Sequence, residues 1–265
     1  KGISTLQKFF SSTFASQHWR KYDLICGINV LAHQPDINDF VAGLKLSLAP
    51  KGIITMEFPH LMRMIEGVQF DTIYHEHYSY FSFATICEII SKHGLEVFDV
   101  DEIPEHGGSL RIYARHGEFC WNDKIHELLR KEVAVATDHI SYYQSFQPKV
   151  EGIKTDLVRF LVEAKMEGKK VCAYGAPAKG NTFLNYCGIR SDLIPFTMDR
   201  SPHKQGKYLP GSHIPVVSPK VLRTTQPDYI LILPWNLKEE VMEQLSYTRF
   251  KGCKFVTAIP ELEVI

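Results

Sequence analysis

The chain has 265 residues, 45% of them apolar and 23% charged, and its 30 basic and 30 acidic side chains leave no net charge. That balance is ordinary for a globular protein with room for two modest domains, and it offers no electrostatic reason to expect nucleic acid or a membrane surface as partner. The longest apolar runs fall far short of the ~20 residues a bilayer span requires. The opening KGISTLQKFF lacks the apolar core and cleavage site of a secretory leader, so a cytoplasmic location is expected. Six cysteines, at 26, 87, 120, 172, 187 and 253, form no CxxC pair; they read as reduced, mostly buried thiols, with no zinc site and no disulfide framework.

In chain order, Lys1 to Ala15 reads as the last turns of a helix with no strand before it. YDLICGIN (Tyr22 to Asn29) has strand character. Asp36 to Leu48 has apolar residues at helical spacing, with Asp36 or Asn38 as N-cap, and Pro50 and Gly52 are expected to stop the helix. GIITMEF (Gly52 to Phe58) is a second buried-strand run, so strand, helix and strand make a right-handed parallel unit. Phe83 to His93 predicts a helix ended by Gly94. Leu95 to Asp101 and Ser109 to Ala114 alternate as strands around IPEHGG, a linker too short for a crossover helix, so they should pair antiparallel.

Residues 120–168 carry no strand signal. Val150, Ile153, Leu157, Leu161 and Ala164 recur at helical steps, and the stretch is expected to be a helical connection. A second α/β unit then begins: strands at Val171 to Tyr174, Pro195 to Asp199, Tyr229 to Leu233 and Lys254 to Thr257, with helical segments at Pro219 to Arg223 and Leu237 to Leu245 between them. This is a Rossmann-like domain. The expected divisions are 1–118, 119–168 and 169–265.

Two stretches carry chemistry. FDTIYHEHYSYFS (Phe70 to Ser82) packs Asp71, Tyr74, His75, Glu76, His77, Tyr78 and Tyr80 into one window between an apolar run and a helix, the loop position where α/β proteins place reactive groups. HEH is not the helical HExxH zinc motif and lacks a third ligand nearby, so no metal is expected. The residues alone leave a catalytic loop and a structural aromatic surface both open. GAPAKG (Gly175 to Gly180) is a glycine-bearing strand-to-helix turn. It either offers N–H groups and Lys179 to a phosphate or simply packs a helix tightly on a sheet; it lacks the full GxGxxG and the GKS/T of a P-loop.

Taken together, NVLAH at 29–33, FDTIYHEHYSYFS at 70–82, HGGSLR at 106–111, GAPAKG at 175–180 and FTMDRSPHKQGKYLPGSHIPV at 196–216, in that order, resemble the S-adenosylmethionine-dependent C-methyltransferases that act on nucleotide-linked keto-sugars. The resemblance covers essentially the whole chain. It implies the back half of a class I methyltransferase sheet plus a second Rossmann-like carboxyl-terminal domain. The family's cysteine-rich zinc-binding start and the glycine-rich loop of the front half have no counterpart before residue 22. That implies a bare edge on the strand at 22–29, covered by self-association or by another segment, and a weakened cofactor site.

The resemblance also implies roles. The reaction is C-methylation next to a ketone through base-assisted enolate formation. Tyr74, Glu76 and His77 match catalytic positions, with His77 as general base, Glu76 orienting or charge-stabilising an imidazole, and Tyr74 donating to the enolate oxygen or sharing the proton transfer. His33 matches a further active-site histidine. Asn29 and Val30 lie on the cofactor side, and Glu57 ends its strand at the same rim. His106, Gly107 and Gly108 are expected to line the sugar pocket, and Lys179, Asn181, Arg200 and Lys204 to lie near the nucleotide. Two alternatives stay open: a catalytically silent nucleotide-sugar-binding chain, and a nicotinamide-dependent oxidoreductase in which Asp199, loosely at the required spacing past the glycine loop, holds a ribose.

Overall fold

The computed structural model describes residues 2–117 and 121–265, so Cys120 lies outside the described residues. The chain divides into two compact units, Lys1–Met64 with His75–Tyr142, and Ile65–Tyr74 with Tyr143–Ile265.

The first unit runs α1 (Ser12–Gln17), β1 (Tyr22–Ile28), α2 (Ile37–Ser47), β2 (Leu48–Pro59), α3 (Leu61–Glu66), α4 (Phe83–Lys92), β3 (Leu95–Ile103), β4 (Ser109–His116), α5 (Asp123–Val135) and α6 (Ile140–Tyr143). Its sheet has the order β1-β2-β4-β3. β1 and β2 are parallel, while β4 runs antiparallel to both β2 and β3, the arrangement expected of the back half of a class I methyltransferase sheet. The anticipated cap of α2 is present: the Asp36 carboxylate accepts the Asp39 N–H at 2.9 Å. Phe83, Ile86, Cys87 and Ile90 of α4 join Ile54, Met56, Phe58, Leu110 and Ile112 of the sheet in one core.

Two boundaries differ from the sequence reading. The helix expected over Lys1 to Ala15 forms only at Ser12–Gln17, because the Ser11 hydroxyl accepts the Phe14 N–H and fixes the start there. Pro50 and Gly52 do not stand between α2 and a strand; β2 already begins at Leu48. Its register with β1 jumps from Tyr22↔Leu48 to Leu24↔Ile53, and both residues fall in that irregularity. There the missing Pro50 N–H is not needed, and Gly52 lets the Tyr22 carbonyl approach: a Cβ on it would lie 2.7 Å from that oxygen.

β1 is an edge strand. Tyr22, Leu24 and Ile28, alternate residues on one face, are 45%, 61% and 64% exposed, and Leu24 sits beside Ile53, itself exposed.

The second unit holds α7 (Phe146–Met166), β5 (Val171–Tyr174), α8 (Ala178–Cys187), β6 (Thr197–Met198), β7 (Val216–Val217), β8 (Tyr229–Ile232), α9 (Lys238–Gln244), β9 (Lys254–Thr257) and β10 (Glu263–Val264). The sheet order is β10-β9-β8-β5-β6-β7, parallel from β9 to β7 with β10 antiparallel at the edge. β6 is shorter than the Pro195 to Asp199 run, and β7 and β10 are too short to announce themselves in a pattern. The stretch 119–168 is shared out. α5 buries Ile125 and Leu128 in the core of the first unit; α7 buries Val150, Ile153, Leu157, Leu161 and Ala164 in that of the second. Val68 and Phe70 also belong to the second core. Cys87, Cys172, Cys187 and Cys253 are buried thiols, as expected, but Cys26 is exposed on β1. Among the described residues no helix is long and apolar enough to cross a membrane.

Candidate active site

In the first unit the parallel strands β1 and β2 end at one rim, the side of an α/β sheet where ligands bind. β1 leads directly into Asn29, which adopts a left-handed φ of 53° and donates its N–H to the Glu57 carbonyl at 2.8 Å. Asn tolerates that conformation better than most residues. The chain then turns through Val30 into a short 3-10 turn, Leu31–His33. The Asn29 amide nitrogen lies 2.9 Å from Nε2 of His106; since the amide N–H donates, the ring nitrogen accepts. Asn29 Oδ1 is buried with no hydrogen-bond partner. His106 lies in the turn between β3 and β4, where His106, Gly107 and Gly108 all have positive φ (58°, 90° and 113°). The Gly108 carbonyl accepts the His60 N–H at 3.1 Å, which closes the turn against the end of β2. The rim therefore unites Asn29, predicted on the cofactor side, with His106, predicted in the sugar pocket.

His33 and His77 also meet. Their rings are 4.9 Å apart, tilted by 58°, and the Tyr80 ring lies 6.0 Å from His77 on an edge-to-face approach. His33 Nδ1 is 2.8 Å from the Glu76 main-chain oxygen. A carbonyl only accepts, so Nδ1 carries the proton, and in the neutral ring Nε2 is left as an acceptor. The Glu76 side chain was expected to orient an imidazole; instead the Glu76 main chain does so, and Glu76 itself is exposed. The Tyr78 N–H donates to the Ala32 carbonyl at 2.8 Å and joins the two loops. Glu57 is occupied as well: Arg111 of the HGGSLR run donates to Oε2 through Nη2 at 2.8 Å and Nε at 3.2 Å. Tyr74 belongs by its contacts to the second unit.

The downstream end of the loop rests on a residue that sequence reasoning missed. Glu132 of α5 is 1% exposed. Its Oε1 accepts from the Phe83 N–H at 2.6 Å and from His60 Nε2 at 2.7 Å, and its Oε2 from the Ala84 N–H at 2.9 Å. The Ser82 hydroxyl takes the Thr85 N–H. All the first-turn donors of α4 are thus satisfied, with a negative charge at the helix N-terminus.

In the second unit a cleft of about 230 Å³ opens at the ends of β5, β6 and β8, lined among others by Tyr174, Gly175, Asp199, Arg200, Lys204 and Gln244. The sheet reverses its order between β5 and β8, so this is the unit's switch-point crevice. Of the residues expected near a nucleotide, Arg200 and Lys204 line it, while Lys179 and Asn181 do not. Gly175 has φ 92°, and a Cβ there would lie 2.5 Å from the Pro234 ring; a Cβ on Gly180 would lie 2.9 Å from Leu233. The glycines of GAPAKG serve tight packing of helix on sheet. Asp199 Oδ2 accepts the Ala176 N–H and Oδ1 the Ser201 N–H, both at 2.8 Å, and Lys204 Nζ lies 3.5 Å from Oδ2. The carboxylate needed by a ribose in the oxidoreductase reading is therefore already engaged by the protein.

Lys179 points elsewhere. Its ammonium donates to the Asn236 amide oxygen and sits 4.3 Å from the centre of the Trp235 ring. The Trp235 indole N–H donates to Asp71 Oδ2 at 2.8 Å. Burial pushes the Asp71 carboxyl up from 3.8 to about 6, against the charge of Lys179, the indole and neighbouring main-chain N–H groups. Burial likewise pushes Lys179 down to about 8, with Asp71 opposing.

A family model described as the C-methyltransferase C-terminal domain matches residues 104–260, and one described as a methyltransferase domain matches residues 3–100. Among curated proteins, the C-methyltransferase NovU of Streptomyces niveus is 33% identical over 270 residues, covering 100% of this chain and 64% of NovU. The chain thus spans less than two thirds of that relative. Among solved structures, the 1,6-didemethyltoxoflavin-N1-methyltransferase of Burkholderia thailandensis is 19% identical, covers 37% of this chain and 45% of its own, and has a TM-score of 0.30. The magnesium protoporphyrin IX methyltransferase of Synechocystis PCC 6803 is 15% identical, covers 39% and 48%, and has a TM-score of 0.31. Likenesses at these scores decide nothing about fold or site.

Proposed function

The chain belongs to the C-methyltransferase family, and on that premise we propose that it takes part in S-adenosylmethionine-dependent C-methylation of a nucleotide-linked keto-sugar, at the carbon next to the ketone. The supporting observation is the pairing, in the first unit past the end of β1, of His33 with His77 and of Asn29 with His106. Carbon beside a ketone becomes a nucleophile only when its proton is removed and the resulting enolate oxygen is stabilised. His77 takes that proton. His33, held by the Glu76 carbonyl with its proton on Nδ1, presents Nε2 as an acceptor beside it. Tyr74 donates to the enolate oxygen, and His106 with Gly107 and Gly108 borders the sugar.

The cofactor, when bound, supplies an electrophilic methyl group. The buried, unpartnered Oδ1 of Asn29 fits it, because an amide oxygen at the end of β1 is an acceptor suited to an ammonium group. Asn29 and Val30 would hold that end. Arg200 and Lys204 in the switch-point cleft bind the nucleotide's phosphates. The open edge and face of β1 are covered by self-association or by a partner segment.

Calorimetric titration with S-adenosylhomocysteine, a thymidine diphosphate sugar and NADH tests the reading. Binding of NADH alone overturns it, and binding of the sugar nucleotide without the thioether selects the silent binding chain. In the active protein, His77→Asn and Tyr74→Phe should each reduce turnover by roughly 10²–10⁴-fold; unchanged turnover in His77→Asn removes it from the base role.

A further inference from the structure

The upstream end of the loop carries a buried carboxylate that the proposed reaction does not use. Asp71 is 0% exposed, in the 3-10 turn Phe70–Thr72. Phe70 packs its ring 5.0 Å from that of Tyr186 and 5.8 Å from that of Phe183, both on α8. Asp71 then meets the Trp235 indole N–H, and the Lys179 ammonium lies over the ring of the same indole, tied to Asn236. The indole of Trp235 thus meets Asp71 at its N–H and Lys179 over its ring, three residues of the second unit drawn from separate parts of the chain. Among the described residues Lys179 is the ionisable group whose charge acts on Asp71.

A buried charge pair is a poor device for stability, since apolar side chains of similar volume do as well or better. What it supplies is direction: one indole N–H, at 2.8 Å from Oδ2, defines where the carboxylate, and hence the chain at residue 71, must sit, while Oδ1 is buried without a hydrogen-bond partner. Tyr74 follows within a turn's length, and between Tyr74 and His75 the chain passes from the second unit to the first. Resting on the reaction proposed above, we propose that Asp71 is a positioning residue: bound by the Trp235 indole, it fixes the start of the loop whose later residues, Tyr74 and His77, act on the substrate. Its own carboxylate touches no reacting atom.

The test uses the full chain in a Trp19→Phe, Trp121→Phe background, which leaves Trp235 as the reporter, with Asp71→Ala and Asp71→Asn compared by Trp235 emission, amide exchange over 70–77 and methyl-transfer kinetics. In Asp71→Ala, Trp235 emission should shift to the red, and exchange over 70–77 should rise about tenfold while β8 stays protected. The kcat should fall roughly a hundredfold with KM for S-adenosylmethionine unchanged, as expected when a reacting group is misplaced. Asp71→Asn, which keeps an acceptor for the indole, should recover most of kcat and of the protection. Wild-type exchange and emission in Asp71→Ala overturn the anchor. Faster exchange with unchanged kcat overturns the positioning role. A wild-type chain that transfers no methyl group overturns the proposed reaction, and exchange and emission then decide the anchor on their own.

Discussion

Replacing Glu132 by Ala probes the other end of the same loop. The carboxylate serves three donors, the main-chain N–H groups of Phe83 and Ala84 and the ring of His60, in a position 1% exposed. Water does not reach the vacated groups freely, so each donor left without an acceptor costs about 1–3 kcal/mol. Helix α4 also loses the charge at its N-terminus, worth up to ~2 kcal/mol in a buried setting. Some relaxation is certain, so the expected loss is about 3–5 kcal/mol, the range for breaking a buried pair by removing one partner. Glu132→Gln keeps the shape but turns one acceptor into an NH₂ group facing a donor, and should lose roughly half as much, about 2 kcal/mol. Native-state exchange at the paired amides of β2 and β4 reports the opening energy of the first unit separately from that of the second. A loss below about 0.5 kcal/mol in Glu132→Ala, the size of an ordinary surface change, would refute the capping account. A His60→Ala, Glu132→Ala cycle should add a coupling of about 1–3 kcal/mol.

Gly175→Ala must place a Cβ 2.5 Å from the Pro234 ring at φ 92°, so chemical denaturation should show the second unit destabilised by about 2–5 kcal/mol; a neutral change would mean the turn relaxes freely. For Asp71 the raised folded pKa makes the protonated form the favoured one: its contribution is full below 3.8 and lost as pH rises through about 6. Wild-type stability relative to Asp71→Asn should therefore fall by about 2 kcal/mol between pH 4 and pH 6 in matched denaturation curves, and a flat difference would contradict the buried carboxylate. Leu24→Lys with Ile28→Lys should abolish concentration-dependent sedimentation without lowering stability; a wild type that sediments as a monomer at every concentration would remove self-association from consideration.

Much of the architecture was legible because its signals are local. Asp36 caps α2 as its position before an apolar periodicity suggests, and the short IPEHGG link forced an antiparallel pairing that the β3–β4 register bears out. Pro50 and Gly52 misled because the same residues that end helices also fill irregularities between strands, and only the partner strand shows which. The rim pairs His33 with His77 and Asn29 with His106, yet the sequence offered the Glu76 side chain where the main chain acts. Glu132 and Asp71 were invisible as anchors for one shared reason. Glu132 sits in a charged helix, DKIHELLRKEV, that reads as a solvated face, and the indole serving Asp71 lies at 235, far along the chain. Neither burial has any trace in local spacing.

The assignment of Val68, Phe70 and Asp71 to the second unit bears on how this protein can be cut. A piece beginning at Tyr143 would carry α7 and the whole six-stranded sheet, and on paper would look self-sufficient. It would nevertheless lack the ring that packs on Phe183 and Tyr186 and the acceptor for the Trp235 indole. Dissection should leave such a piece with an unfilled notch in its interior and a half-buried ammonium without its counter-charge. Supplying residues 65–74 as a separate peptide should repair both at once, so the isolated lobe becomes a receptor for its own missing segment.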